Sequence, residues 1–325
     1  MVTLAMTRLI RPRLLPALDL ARGVPEELRT LVAVPVILTD EGDLARRLER
    51  LAVHHLSSTG GAMHCALLSD GPDAATEQTE ADGPLIRAAL AGIAALNASD
   101  PTGRGDRFLL LHRRRLWNPA QRCWMGWERK RGKLTELNRL LRGATDTTFL
   151  SCDGAPPVPV GMRFVVTLDA DTRLLRDTVR RRIGKMAHPL NRPRFDPALQ
   201  RVTGGYGILQ PRVTASLPLG QDGPVYQRVF SSRGGIEPYA AAVSDVCQDL
   251  FGEGSCTGKG IFHVDAFEAA MAGRVPGNTL LSDDRFEGIH ARAALASDIE
   301  VVEDFPTRHA MDMRRQDRWA GATGS

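Results

Sequence analysis

Apolar and polar positions alternate along this chain between two repeating patterns. Leu31–Leu38 (LVAVPVIL) is a continuous Val-rich apolar run, the pattern of a strand buried on both faces. Pro35 inside it points toward an edge or a bulge, because proline has no N–H to donate. From Asp43 to Leu56, Leu44, Leu48, Leu51 and Leu56 recur at helical spacing. Met63–Leu68 predicts a second strand, ending at Ser69-Asp70, and residues 83–97 predict a second helix. Arg107–Leu111 predicts a third strand. This strand–helix alternation is the signature of an α/β fold with a largely parallel sheet.

The same reading continues downstream. Lys133–Leu141 carries Leu134, Leu137, Leu140 and Leu141 on one helical stripe. Phe164–Leu168 is a strand that stops at Asp169-Ala-Asp171, and Asp177–Met186 is a helix. Residues 201–214 hold extended segments, and 219–260 are Gly-rich with little periodicity. Asp265–Ala272 is a short helix with Asp265 as its expected N-cap. Ser282-Asp283-Asp284-Arg285 opens a helix running to about Leu295, followed by a strand at Ile299–Val302. Residues 1–30, rich in Pro and Arg, form a lead-in to one domain over 31–319, with a short tail at 320–325.

Composition narrows the class. Apolar residues make up 43% of the 325, enough for a substantial core. Forty-two Lys and Arg against 38 Asp and Glu leave a net charge of +4, too mild for a nucleic-acid binder. The longest apolar run falls far short of the ~20 residues of a membrane span. The Arg-dotted first thirty residues do not read as a signal peptide, so a soluble chain is expected. Five scattered Cys without a CxxC pair argue against a disulfide framework or zinc ribbon.

The sharpest chemistry is Val165-Val-Thr-Leu-Asp169-Ala-Asp171. An apolar strand delivers two carboxylates at its C-terminal end, where open α/β sheets bind ligands. Two close carboxylates repel unless a cation sits between them, and a divalent metal with a diphosphate meets that need. The competing reading is a turn or helix cap. Nucleotide-sugar transferases use such a DxD pair, and so do haloacid-dehalogenase-type phosphatases. Arg173 in the fifth position and the mid-chain strand favour the transferase.

Positive charge gathers in Leu111–Arg142, with ten Lys or Arg against two Glu. Arg129, Lys130, Arg131 and Lys133 at a helix start could receive phosphate, or form a solvated face. Asn138, one turn beyond Lys133, could bond a nucleotide or buttress the Asp169 strand. Trp117, Trp124 and Trp127 could stack on a sugar or simply pack. Ser255–Gly260 is no P-loop, since Glu253 and Gly260 stand where Gly and Ser or Thr are required. Its glycines suggest close approach of backbone to a ligand. Asp283 and Asp284, with Glu287 one turn on, begin a helix, either as caps or as placed carboxylates.

Five stretches resemble the glycosyltransferase domain of bacterial cyclic β-1,2-glucan synthases: Trp124–Gly143, Val166–Arg173, Gly184–Arg192, Phe251–Phe267 and Leu281–Gly288. The resemblance runs from about Leu15 to Trp319. That domain is similar to processive GT-A transferases such as cellulose synthase. The resemblance implies a GT-A fold with a mixed, mostly parallel central sheet flanked by helices. It also implies UDP-glucose as donor, Mg²⁺ or Mn²⁺ as cofactor, and inversion at the anomeric centre.

By the same resemblance, Asp169 and Asp171 match the pair on metal and diphosphate. Asp70 matches the carboxylate at the uridine, Lys133 lies near the diphosphate, and Asp284 matches the general base. Arg318 and Trp319 match the end of the acceptor motif. Implied partners are a glucan acceptor and the membrane and glucan-processing regions of a larger or split synthase, whose domain faces the cytoplasm at the inner membrane. Departures are Leu281-Ser-Asp-Asp-Arg285 where the family reads Leu-Ser-His-Asp-Leu, and Cys256 and His263 where Phe and Asp are expected. A UDP-sugar-binding fragment without activity and a soluble transferase of other donor or linkage are the rival readings.

Overall fold

A computed structural model describes residues 14–58, 60–100, 103, 105–216, 245–254, 256, 258–274, 284–303 and 313. It divides into two compact units. One is Arg22–Ala170, and the other joins Met1–Ala21 to Asp171–Ser325.

The Arg22–Ala170 unit is built on four parallel strands. They are β1 (Thr30–Ile37), β2 (Met63–Asp70), β3 (Phe108–Arg113) and β6 (Phe164–Thr167), in spatial order β3-β2-β1-β6. The apolar runs become strands buried along most of their length, as parallel strands covered on both faces must be. Pro35 is accommodated because pairing of β1 with β6 stops at Ala33↔Thr167. Helix α1 (Glu41–Ser57) starts where the Asp40 carboxylate accepts from the Asp43 N–H at 2.8 Å. Helix α2 (Asp82–Ala98) returns the chain to β3, where Asn97 exchanges hydrogen bonds with the Phe108 backbone. Between β3 and α3 (Arg129–Leu141), β4 (Leu116–Asn118) and β5 (Cys123–Met125) form a hairpin. Helix α3 begins four residues before the predicted stretch.

The second unit carries β7 (Thr172–Leu174), α4 (Thr178–Ala187), β10 (Ile208–Ala215), β11 (Gly260–His263) and β12 (Ala293–Glu303). Here the strand order is β11-β10-β12-β7, with β10 parallel to β12 and antiparallel pairs at either side. A small antiparallel pair, β8 (Arg194–Asp196) and β9 (Arg201–Gly204), lies beside it in sequence. Helices α5 (Val246–Phe251), α6 (Val264–Met271) and α7 (Asp284–Ala291) complete the described α-helices.

Two expectations about this unit are corrected. The N-cap of α6 is His263, whose Nδ1 accepts from the Ala266 N–H, so Asp265 lies inside the first turn. The helix opened by Asp284 ends at Ala291, not Leu295. Arg292 turns through a left-handed φ of 58° and the chain enters β12, longer than the predicted Ile299–Val302. The described part of the lead-in is docked: the Leu15 and Pro16 carbonyls accept from Lys185 and Asn191, and the Leu18 N–H donates to Gly184. Gly184 is required there, because a Cβ would stand 2.4 Å from the Leu18 oxygen.

Candidate functional site

Strand ends carry the acidic residues in both units. In the first, β2 ends on Asp70 and β6 leads into Leu168-Asp169. Asp70 is buried, and two nitrogens of Arg113 hold its carboxylate at 2.8 and 2.9 Å. Lys133 approaches it at 3.0 Å and also donates to the Val36 carbonyl at 2.7 Å. Burial works to raise the Asp70 pKa, but the Arg113 hydrogen bonds and the Lys133 charge outweigh it and hold the carboxylate below its ordinary value. Burial brings the Lys133 ammonium down to about 8, against the pull of Asp70.

Arg113 extends the cluster to Glu136 at 2.9 Å, and Glu136 accepts from the Thr148 N–H at 2.7 Å. Each charge is matched and hydrogen-bonded, as buried ions must be. Gly126 lies against this cluster, where a Cβ would meet the Asp70 carboxylate at 2.5 Å.

Helix α3 therefore uses its basic residues singly. Arg129 pairs with Asp73 at 2.9 Å, Arg131 with Glu128 at 2.6 Å, and Lys130 reaches Asp169 at 2.5 Å. The four cations read in sequence as one cluster are distributed over four carboxylates. Asn138 is completely buried on the same helix. Trp117 and Trp124 face one another across the β4–β5 hairpin with centroids 6.0 Å apart, and Trp117 is half exposed.

In the second unit, Asp171 immediately precedes β7 and Glu303 ends β12. These strands pair antiparallel with Glu303 opposite Thr172. That register brings a carboxylate oxygen of Asp171 within 4.8 Å of one from Glu303. Glu303 is buried and paired with Lys259 at 2.5 Å. Both donors are hard carboxylate oxygens, the chemistry that Mg²⁺ and Mn²⁺ select.

Sequence reading missed Glu303. The signal is the same as at Asp169, a carboxylate closing an apolar strand, but the apolar run predicts an end one residue earlier, at Val302. Lys259 lies in the stretch that fails the phosphate-loop pattern. The neighbouring Gly260 serves strand pairing, because its Cβ position lies 2.4 Å from the Leu209 oxygen. Asp284 is the first residue of α7, and its side chain lies outside the described residues, as do Arg318 and Trp319. No helix among the described residues is long and apolar enough to cross a membrane.

Fold and site together define a class: an α/β protein that presents carboxylates and lysines at the ends of its strands. The chain is similar to one segment of the cyclic β-(1,2)-glucan synthase NdvB of Rhizobium meliloti (strain 1021), at 50% identity over 314 residues. The match takes in 97% of this chain and spans 11% of the length of that relative. No protein-family model matches. Two solved structures of the galactosyltransferase LgtC align over 91% of this chain and 97% of theirs. The complex with donor and acceptor sugar analogs is 10% identical with a TM-score of 0.33. The active-site mutant is 13% identical with a TM-score of 0.26. Both are too distant for the overlap to bear on the fold.

Proposed function

We propose that this chain is a GT-A-type inverting glucosyltransferase domain, which moves glucose from UDP-glucose to the 2-hydroxyl of a growing β-1,2-glucan. The observation that carries this reading is the 50% identity, over nearly the whole chain, to a segment of a cyclic β-(1,2)-glucan synthase. In this reading Asp169 and Asp171, two positions apart in the chain, hold Mg²⁺ or Mn²⁺ with the donor diphosphate. The oxygen donors of Asp171 and Glu303 suit such an ion, which when bound would offset charge on the departing UDP.

The chain's own residues divide the remaining work. Asp284, placed at the start of α7, accepts the proton of the acceptor 2-hydroxyl at its carboxylate. That oxygen attacks C1 from the face opposite UDP, so an α-linked donor gives a β bond. Asp70 lies at the uridine and Lys133 near the diphosphate, the two joined by their buried ion pair. Asn138, completely buried on α3, takes the second of its two expected roles and buttresses the Asp169 strand. Arg318 and Trp319 receive the acceptor glucan. The acceptor, and the membrane and glucan-processing regions of a larger synthase at the inner membrane, are the proposed partners.

The test is UDP release from UDP-glucose in Mn²⁺ or Mg²⁺ with a short β-1,2-glucan acceptor, with linkage analysis of the product. Acceptor-dependent release, a new 2-linked β-glucosyl unit, and loss of both in Asp284→Asn are expected. A 3- or 4-linked product would refute the linkage, and full activity in Asp284→Asn would refute the base. Metal-dependent UDP binding without transfer is the outcome that would favour a nucleotide-binding fragment.

A further inference from the structure

Each unit contains a carboxylate with a lysine ammonium set directly on it. Lys130 stands 2.5 Å from Asp169, and Lys259 stands 2.5 Å from Glu303. The second pair is the more informative, because both side chains are at least nine-tenths buried. Lys259 reaches Glu303 from the residue just before β11, and Glu303 terminates β12 beside Thr172. The Glu303 carboxylate also lies within 4.8 Å of Asp171. Two carboxylates so close need positive charge between or beside them, and Lys259 supplies it.

We infer that Glu303 is a cation ligand together with Asp171, and that Lys259 is a resident ammonium displaced from Glu303 when a divalent ion and a diphosphate arrive. This rests on the donor reading above. One carboxylate oxygen cannot hold an ammonium at contact distance and a dication without strong repulsion between the cations. The displaced ammonium, on a flexible stem with three donors, then turns to the phosphate oxygens that enter with the ion. Lys259 thereby opposes the ion alone and assists the ion with nucleotide. Loading becomes cooperative, because neither metal nor nucleotide satisfies the site singly.

Mn²⁺ binding followed by electron paramagnetic resonance, and UDP binding by calorimetry, read this without turnover. Lys259→Gln is expected to bind Mn²⁺ about tenfold more tightly without nucleotide. Its Mn²⁺-supported UDP affinity should fall about tenfold. Glu303→Gln is expected to lose Mn²⁺ affinity about tenfold or more. Removing one partner of a buried pair can unfold a domain, so Lys259→Gln/Glu303→Gln, which removes both charges together, accompanies the single variants. A folded double variant is expected to bind Mn²⁺ about tenfold more weakly than Lys259→Gln, and equal Mn²⁺ affinity in these two variants overturns the inference. Metal-dependent UDP binding that is equal in wild type and Lys259→Gln overturns it while leaving the donor reading intact. Wild-type protein that binds neither Mn²⁺ nor UDP overturns both.

Discussion

Arg182 on α4 is only 2% exposed, and its guanidinium nitrogens have no hydrogen-bond partner among the described residues. Burial brings its pKa down to about 9. An unmatched buried charge is costly, whereas Arg113, equally buried, is matched by Asp70 and Glu136. Replacing Arg182 by Met, of similar length, should therefore raise unfolding free energy by about 1–3 kcal/mol. A urea midpoint unchanged or lowered in Arg182→Met would contradict this.

Protonation provides a second residue-scale prediction. Burial lowers the His112 pKa to about 4, and its Nδ1 stands 2.8 Å from the Ser69 hydroxyl. Arg115, by hydrogen bonding, lowers the Asp82 pKa to about 2. In both cases the unfolded chain binds protons that the folded protein refuses. Stability is therefore complete above the ordinary His value, falls from pH 6.5 toward 4 through His112, and falls again from 3.8 toward 2 through Asp82. Burial also lowers His55, His64 and His290, so thermal melting across this range should show the upper step reduced, not abolished, in His112→Gln.

At the scale of elements, α3 shows how little of a helix's start is local. Glu128 and Arg129 adopt left-handed φ values of 50° and 46°, which non-glycine residues rarely take. Gly132 follows because the chain doubles back on itself, and a Cβ there would stand 2.0 Å from the Trp127 carbonyl. Alanine is the better helix former by about 1 kcal/mol, but overpacking costs about 1–3 kcal/mol and the clash is with backbone. Gly132→Ala is expected to destabilise, and denaturant titration would contradict this if the midpoint rises. The start of β12 teaches the opposite lesson. Ala293, Ala294 and Leu295 read as helix, yet they are buried in a strand paired with β10. Small side chains fit a covered sheet, and packing overrides intrinsic preference.

Over the whole chain, what the sequence determined is what depends on near neighbours. Apolar runs and helical stripes placed β1, β2, β3, β6 and most helices within a few residues, because period and burial are written locally. The strand-end positions of Asp70 and Asp169 were legible for the same reason. Tertiary structure decided the partners. Nothing in residues 129–133 tells that Lys133 enters the core to meet Asp70 while Lys130 turns to Asp169. Nothing near Glu303 tells that it faces Thr172 and Lys259, since the first follows from the register of β12 on β7 and the second from the pairing of β12 through β10 to β11. Such pairs lie 39 to 131 positions apart, so only the folded register brings their charges within contact distance.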